Sequence, residues 1–184
     1  MRQQWHIDAY VEAWEYATRC HAGQSFDGLT EGEQIPYSNH LAVVVTELMA
    51  ALPATPGADG DFAVQCALLH DTLEDTPATY TDLLERFGPR VADGVLALSK
   101  APALGSLAAQ MADSLARIRR QPREVWMVKL ADRIANLYHP AFCWGPERIE
   151  EYRQEAVTIL EALGAANDQL AARLRHKIAV YGRR

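Results

Sequence analysis

The chain has no CxxC pair; its three cysteines, Cys20, Cys66 and Cys143, are scattered over 184 residues. That spacing excludes a disulfide framework and reads as reduced thiols of a cytoplasmic protein, with Cys66 in an apolar run as plain core. Positive charge is also scarce. Lys and Arg number 18 against 24 Asp and Glu, for a net charge of −6 and a pI near 5.5. This balance argues against a general nucleic-acid or anionic-membrane surface, while leaving room for a local basic pocket that holds a phosphorylated small molecule. No stretch approaches the roughly 20 apolar residues of a membrane span. Internal repeats and low-complexity tracts are missing as well. What remains is a soluble chain expected to form one domain over residues 1–184, long enough to bury a single core.

Alternating β-branched stretches are few, whereas Ala, Leu, Glu, Arg and Gln are abundant in segments of helical period. The predicted fold class is therefore all-α. Helices are expected at 8–22, 40–51, 61–75, 81–87, 89–99, 107–120, 123–136, 147–163 and 165–180. Gly88-Pro89 ends one helix and opens the next, Pro122 and Gly145-Pro146 start others, and Gly164 can end the one before the last. Leu41, Val44, Val45 and Leu48 form one core stripe, and Trp126, Leu130, Ile134 and Leu137 another. The long stretch 23–39 reads as an irregular, functional loop, with Ser38 or Asn39 capping the helix that carries His40.

The segment His70-Asp71-Thr72-Leu73-Glu74-Asp75-Thr76-Pro77 places four ionisable groups at the end of the apolar run Val64-Gln65-Cys66-Ala67-Leu68-Leu69. On a continuous helix, His70 and Glu74 would share one face, Asp71 and Asp75 would lie beside them, and Pro77 would stop the helix. A core has no use for such a set. Burying it without a cation would be strongly unfavourable, so a divalent metal is the natural partner. Two further helices offer ligands, His40 and Asp132. Two imidazoles and two carboxylates without a thiolate suit Mn²⁺, Fe²⁺, Zn²⁺ or Mg²⁺ in a hydrolytic site. Asp132 and Asn136, one turn apart, should point to the same side, opposite the Trp126–Leu137 stripe.

His40, His70-Asp71 and Asp132, in this order, resemble the HD phosphohydrolase superfamily. The likeness extends to Tyr16-Ala17-Thr18-Arg19-Cys20-His21-Ala22-Gly23-Gln24, Pro36-Tyr37-Ser38-Asn39-His40, the His70–Thr76 segment and Val128-Lys129-Leu130-Ala131-Asp132-Arg133-Ile134-Ala135-Asn136-Leu137. These motifs are similar to the hydrolase domain of RelA/SpoT-type enzymes, and over almost the whole chain to the stand-alone small alarmone hydrolases. The resemblance implies a compact helical HD-domain fold and removal of the 3′-diphosphate of guanosine tetra- or pentaphosphate, (p)ppGpp, giving GDP or GTP and pyrophosphate. It implies that His40, His70, Asp71 and Asp132 hold a metal, usually Mn²⁺, and that Glu74 and Asp75 handle the attacking water and the leaving-group proton. It further suggests Asn136 and Tyr152 as nucleotide contacts, with Arg148 one turn before Tyr152 as a phosphate contact. His21 serves either behind the ligands or in direct contact. His6, His139 and His176 receive no partner, and Arg173, Arg175, Lys177, Arg183 and Arg184 read as a solvated basic helix end.

One segment departs from the family pattern. Where relatives that degrade (p)ppGpp carry a basic pair or triplet after the HxxQ element, this chain has Ser25-Phe26-Asp27. Phe26 can stack on a base, but Asp27 opposes a diphosphate. Phosphate neutralisation then falls to Arg19, Lys100, Arg117, Arg119, Lys129, Arg133 or Arg148, which the sequence does not rank. Alternatives to (p)ppGpp are therefore another phosphorylated purine nucleotide such as ppApp, the 2′-phosphate of NADPH, or nucleoside monophosphates. A catalytically silent nucleotide sensor is a third, which the intact Glu74-Asp75 pair disfavours. Nothing in the sequence fixes the oligomeric state.

Overall fold

The computed structural model describes residues 4–138, 140 and 142–182, so His139, Arg183 and Arg184 lie outside the described residues. The helices are α1 (Ile7–Cys20), α2 (Ser38–Ala51), α3 (Gly60–Leu69), α4 (Thr72–Asp75), α5 (Tyr80–Leu98), α6 (Leu107–Ile118), α7 (Arg123–Asn136), α8 (Pro146–Leu163) and α9 (Asp168–Val180). Short 3₁₀ turns follow α2, α5 and α8. No described helix is long and apolar enough to cross a membrane.

α7 occupies the centre, packed against α2, α3, α8 and α9, while α1 and α3 pair on one flank and α5 and α6 on another. Every residue from Met127 to Ile134 is buried. Lys129, Asp132 and Arg133 are buried together with Leu130 and Ile134, and Trp126 is the half-buried member of the stripe. The stripe Leu41, Val44, Val45 and Leu48 is buried in full.

Three local departures from the sequence reading have physical causes. The stretch 23–39 is an antiparallel hairpin, β1 (Ser25–Asp27) and β2 (Gln34–Pro36), with Phe26 opposite Ile35 and Asp27 opposite Gln34. Its strand positions are exposed apart from half-buried Ile35. Main-chain pairing, polar side-chain contacts and the packing of β2 on α2 hold it, so no hydrophobic period announces it. Neither Ser38 nor Asn39 caps α2; Tyr37 takes the cap position, without a side-chain cap bond.

The continuous helix expected at 61–75 begins earlier, where the Asp59 carboxylate accepts from Phe62 N at 3.1 Å, and breaks at His70-Asp71. Two side chains take carbonyls of the last α3 turn. His70 Nδ1 donates to Ala67 O at 2.8 Å and Thr72 Oγ1 to Leu69 O at 2.7 Å. Side-chain donors that compete for ladder carbonyls loosen a helix at that point. In α5, Gly88 stands at φ 80° and ψ 169°, bending the helix before Pro89 as the Gly-Pro pair predicted.

Candidate active site

The break between α3 and α4 turns the His70 and Asp71 side chains toward α2 and α7. His40 Nε2 and His70 Nε2 are 3.2 Å apart, and Asp132 Oδ1 lies 3.5 Å from the first and 3.7 Å from the second. Ligand atoms of His40, His70 and Asp132 all fall within 4.8 Å of one another, and all three residues are buried. Asp71 Oδ2 joins them from the more open side, 2.9 Å from His70 Nε2 and 3.6 Å from His40 Nε2. Four atoms with lone pairs converge here from three helices.

Such convergence requires positive charge at its centre. With His70 Nδ1–H committed to Ala67 O, its Nε2 lone pair is aimed at carboxylate oxygens. Burial alone would lower the His70 imidazole, yet Asp71 and Asp132 outweigh it and raise the group to about 10. Burial likewise opposes the Asp132 carboxylate, but Lys129, His40 and His70 hold it well below the usual range. A proton or a divalent cation can supply that charge, and a divalent cation satisfies all four donors at once. The donor set, two imidazoles and two carboxylates, fits such an ion.

Side chains around these four are themselves held. Lys129 Nζ donates to Asp132 Oδ2 at 2.9 Å, and Asn136 Nδ2 donates to Asp132 Oδ1 at 2.6 Å, so Asp132 and Asn136 share a side as their spacing predicted. Tyr37 donates its hydroxyl to Asp71 Oδ2. Burial first, then Asp71, raises the Tyr37 phenol, which keeps it a donor.

A cleft of about 790 Å³ opens over this group. His40, Asp71, Glu74, Asp75, Asp132, Asn136, Arg148, Tyr152 and Phe26 all line it, whereas His70 lies behind the wall and reaches the centre through Nε2. Both Glu74 oxygens are engaged, by Lys100 N at 2.8 Å and Lys100 Nζ at 2.9 Å. Asp75 is different. Its carboxylate makes no hydrogen bond among the described residues, and burial, then Asp71 and Glu74, raises its pKa. That leaves the Asp75 oxygens open to a proton, while those of Glu74 are occupied by Lys100.

The structure ranks the cations that the sequence could not. Lys100, Lys129, Arg133 and Arg148 line the cleft, while Arg19, Arg117 and Arg119 do not. Arg117 is spent on the carbonyls of Leu96, Ala97 and Ser99, and Arg119 on that of Ala162. Arg133 and Arg148 are stacked over Tyr152 at 4.2 and 5.6 Å, and Arg148 also covers Trp144 at 5.1 Å. The hairpin lines the same cleft without a single cation. The basic helix end read at 173–184 is corrected in part. Arg173 pairs with buried Glu47 on α2, and Lys177 sits 3.1 Å above the Tyr138 ring. His6, left without a partner by the sequence, pairs with Asp61 at 2.6 Å.

Helical architecture, a His-Asp doublet at a helix break and a buried His-His-Asp group define the class, and a family model described as HD domain matches residues 13–170. The chain belongs to the HD-domain family and is a hydrolase with a divalent-metal site. It is 30% identical over 180 residues to guanosine-3′,5′-bis(diphosphate) 3′-pyrophosphohydrolase MESH1 of Xenopus tropicalis, covering 94% of each chain. With the Homo sapiens protein of the same name it shares 30% identity over 90% of each. A solved structure described as a metazoan ortholog of SpoT that hydrolyzes ppGpp matches with a TM-score of 0.81 at 25% identity, over 97% of this chain and 98% of that one.

Proposed function

We propose that this chain hydrolyses the 3′-diphosphate of (p)ppGpp, releasing pyrophosphate and GDP or GTP. The observation that carries the reading is one cleft lined by His40, Asp71 and Asp132, with His70 reaching them from behind, and by Lys100, Lys129, Arg133 and Arg148. A polyphosphate needs both. In this reading the four residues are the metal ligands and Mn²⁺ is the ion, which the all-N/O donor set suits. When bound, the ion supplies Lewis acidity to the phosphoryl group and to the attacking water.

The protein's own groups do the rest. Asp75, unpaired and raised in pKa, takes the water proton. The water oxygen bonds to the 3′-linked phosphorus, the P–O3′ bond breaks, and the ribose 3′-oxygen leaves with the proton that Asp75 took from the water and returns. Glu74 aims the Lys100 ammonium at the phosphoryl oxygens, where charge accumulates. Asn136, next to Asp132, faces the ribose, and Arg148 faces the remaining phosphates. The continuous core from Ala13 to Tyr181 supports a single HD-type unit, and unpaired Cys20, Cys66 and Cys143 support a cytoplasmic setting.

A second substrate class is favoured by one observation, the cation-free hairpin wall that carries Ser25, Phe26 and Asp27. It would accept a nucleotide with fewer phosphates, such as NADPH with its 2′-phosphate. Mn²⁺-loaded protein incubated with ppGpp, ppApp, NADPH and deoxynucleoside monophosphates separates the two. Pyrophosphate released from ppGpp, and lost in Asp71→Ala, is the expected result. Phosphate from NADPH with ppGpp untouched overturns it in favour of the second class, and nucleotide binding without turnover of any substrate leaves a sensor.

A further inference from the structure

Among the described residues the Asp75 carboxylate has no hydrogen-bond partner, so its main chain determines where it sits. That main chain is weakly placed by its own element. α4 spans only four residues and ends at Thr76, which is extended at φ −134° and ψ 169°. Carbonyls at a helix end have no partner within the helix. Here the carbonyl of Asp75 accepts from Gln24 Nε2 at 2.7 Å, a contact across 51 residues of sequence.

Gln24 is in turn fixed on every side. Its amide oxygen faces His21 Nδ1 at 2.7 Å, its backbone N donates to His21 O at 3.0 Å, and its backbone O accepts from Tyr37 N at 3.0 Å. The commitment of Nε2 to a carbonyl leaves the amide oxygen as acceptor, so His21 Nδ1 carries the hydrogen. The His21 ring is buried and stacks on Tyr37, with centroids 4.5 Å apart and an interplanar angle of 21°. Tyr37 then reaches Asp71 through its hydroxyl. The hairpin begins one residue after Gln24 and ends one residue before Tyr37.

Resting on the hydrolytic reading above, we propose that Gln24 is a positioning residue, oriented by His21, that sets the Asp75 carboxylate against the metal centre. It also bolts the hairpin wall of the cleft to the turn that handles the proton. The hairpin and the catalytic turn thereby move as one piece. A displacement of about 1 Å at a reacting group costs on the order of 100-fold in rate. Loss of the clamp therefore appears in kcat rather than in KM.

Two variants test this. Gln24→Leu removes both arms of the amide, whereas Gln24→Glu keeps the size and the acceptor for His21 but loses the donor to Asp75. In each, kcat for ppGpp falls about 10- to 100-fold with KM and Mn²⁺ affinity unchanged. Amide exchange over residues 75–79 accelerates in the same variants while that of α7 does not. Unchanged kcat and exchange in Gln24→Glu, or a raised KM with kcat intact, overturns the proposal. Wild-type protein that releases no pyrophosphate refutes the hydrolytic reading instead, and the exchange measurement still decides whether the clamp exists.

Discussion

Tyr37 is the side chain through which the cleft wall meets the proposed ligand Asp71, and its hydroxyl leaves Asp71 fewer free lone pairs and one orientation. Partners of this kind are worth about 10- to 100-fold in metal affinity. Tyr37→Phe, which keeps the ring stacked on His21, is expected to weaken Mn²⁺ binding by that factor with little change in melting temperature, as titration calorimetry would read. An unchanged affinity would show that the hydroxyl plays no part in holding the ligand. At this scale the sequence was informative wherever chemistry concentrates in short motifs. His40, His70, Asp71 and Asp132 stand out by type and spacing, and the structure brings their donor atoms together. Gln24 and Lys100 were harder to read. Gln24 acts on a backbone carbonyl and Lys100 on Glu74 from 26 residues away, and neither contact leaves a periodic trace.

At the scale of elements, the bend of α5 rests on Gly88. A Cβ there would meet nothing within 4 Å, so replacing it costs only the strain of positive φ. Gly88→Ala should destabilise the fold by about 1–3 kcal/mol, lowering the melting temperature by roughly 2–12 °C. A variant as stable as the parent would mean that the bend relaxes freely. The start of α1 is tied to α3 by His6, whose Nδ1 and backbone N both meet Asp61. The Asp61 hydrogen bond and charge raise the His6 pKa. A raised folded-state value means the stabilisation is fully present below the unfolded value of about 6.5 and is lost as pH rises through the folded one. Amides of residues 7–10 should therefore exchange progressively faster, beyond the intrinsic base catalysis, as pH climbs above that range. Asp61→Asn should abolish this dependence.

Gly-Pro punctuation and apolar stripes made the helices legible, because both report on backbone and burial directly. The hairpin and the break at His70-Asp71 were not. One lacks a buried face, and the other arises when His70 and Thr72 side chains take carbonyls that the ladder would use, a competition that helical spacing does not encode.

For the molecule as a whole, a buried cluster that demands positive charge links metal loading to folding. Metal that binds the folded chain stabilises it by about 2.7 kcal/mol at 100 times the Kd. For a protein of this size the corresponding rise in melting temperature is about 5–11 °C. Scans with Mn²⁺ and with a chelator should differ by that amount, and His70→Ala should erase the difference. A melting temperature indifferent to metal would argue against a site built into the core.

The hairpin at 25–36 sits at the opposite extreme from α7. Its strands bury no side chain fully, while α7 buries eight consecutive residues. Substitutions at exposed positions away from special features usually alter stability by no more than about 0.5 kcal/mol. The part of the cleft wall that the hairpin forms is thus free to change its chemistry without jeopardising the helices that carry His40, His70 and Asp132. A new substrate can be tried at little risk to the fold, provided the two residues that anchor the loop, Gln24 and Tyr37, are left in place.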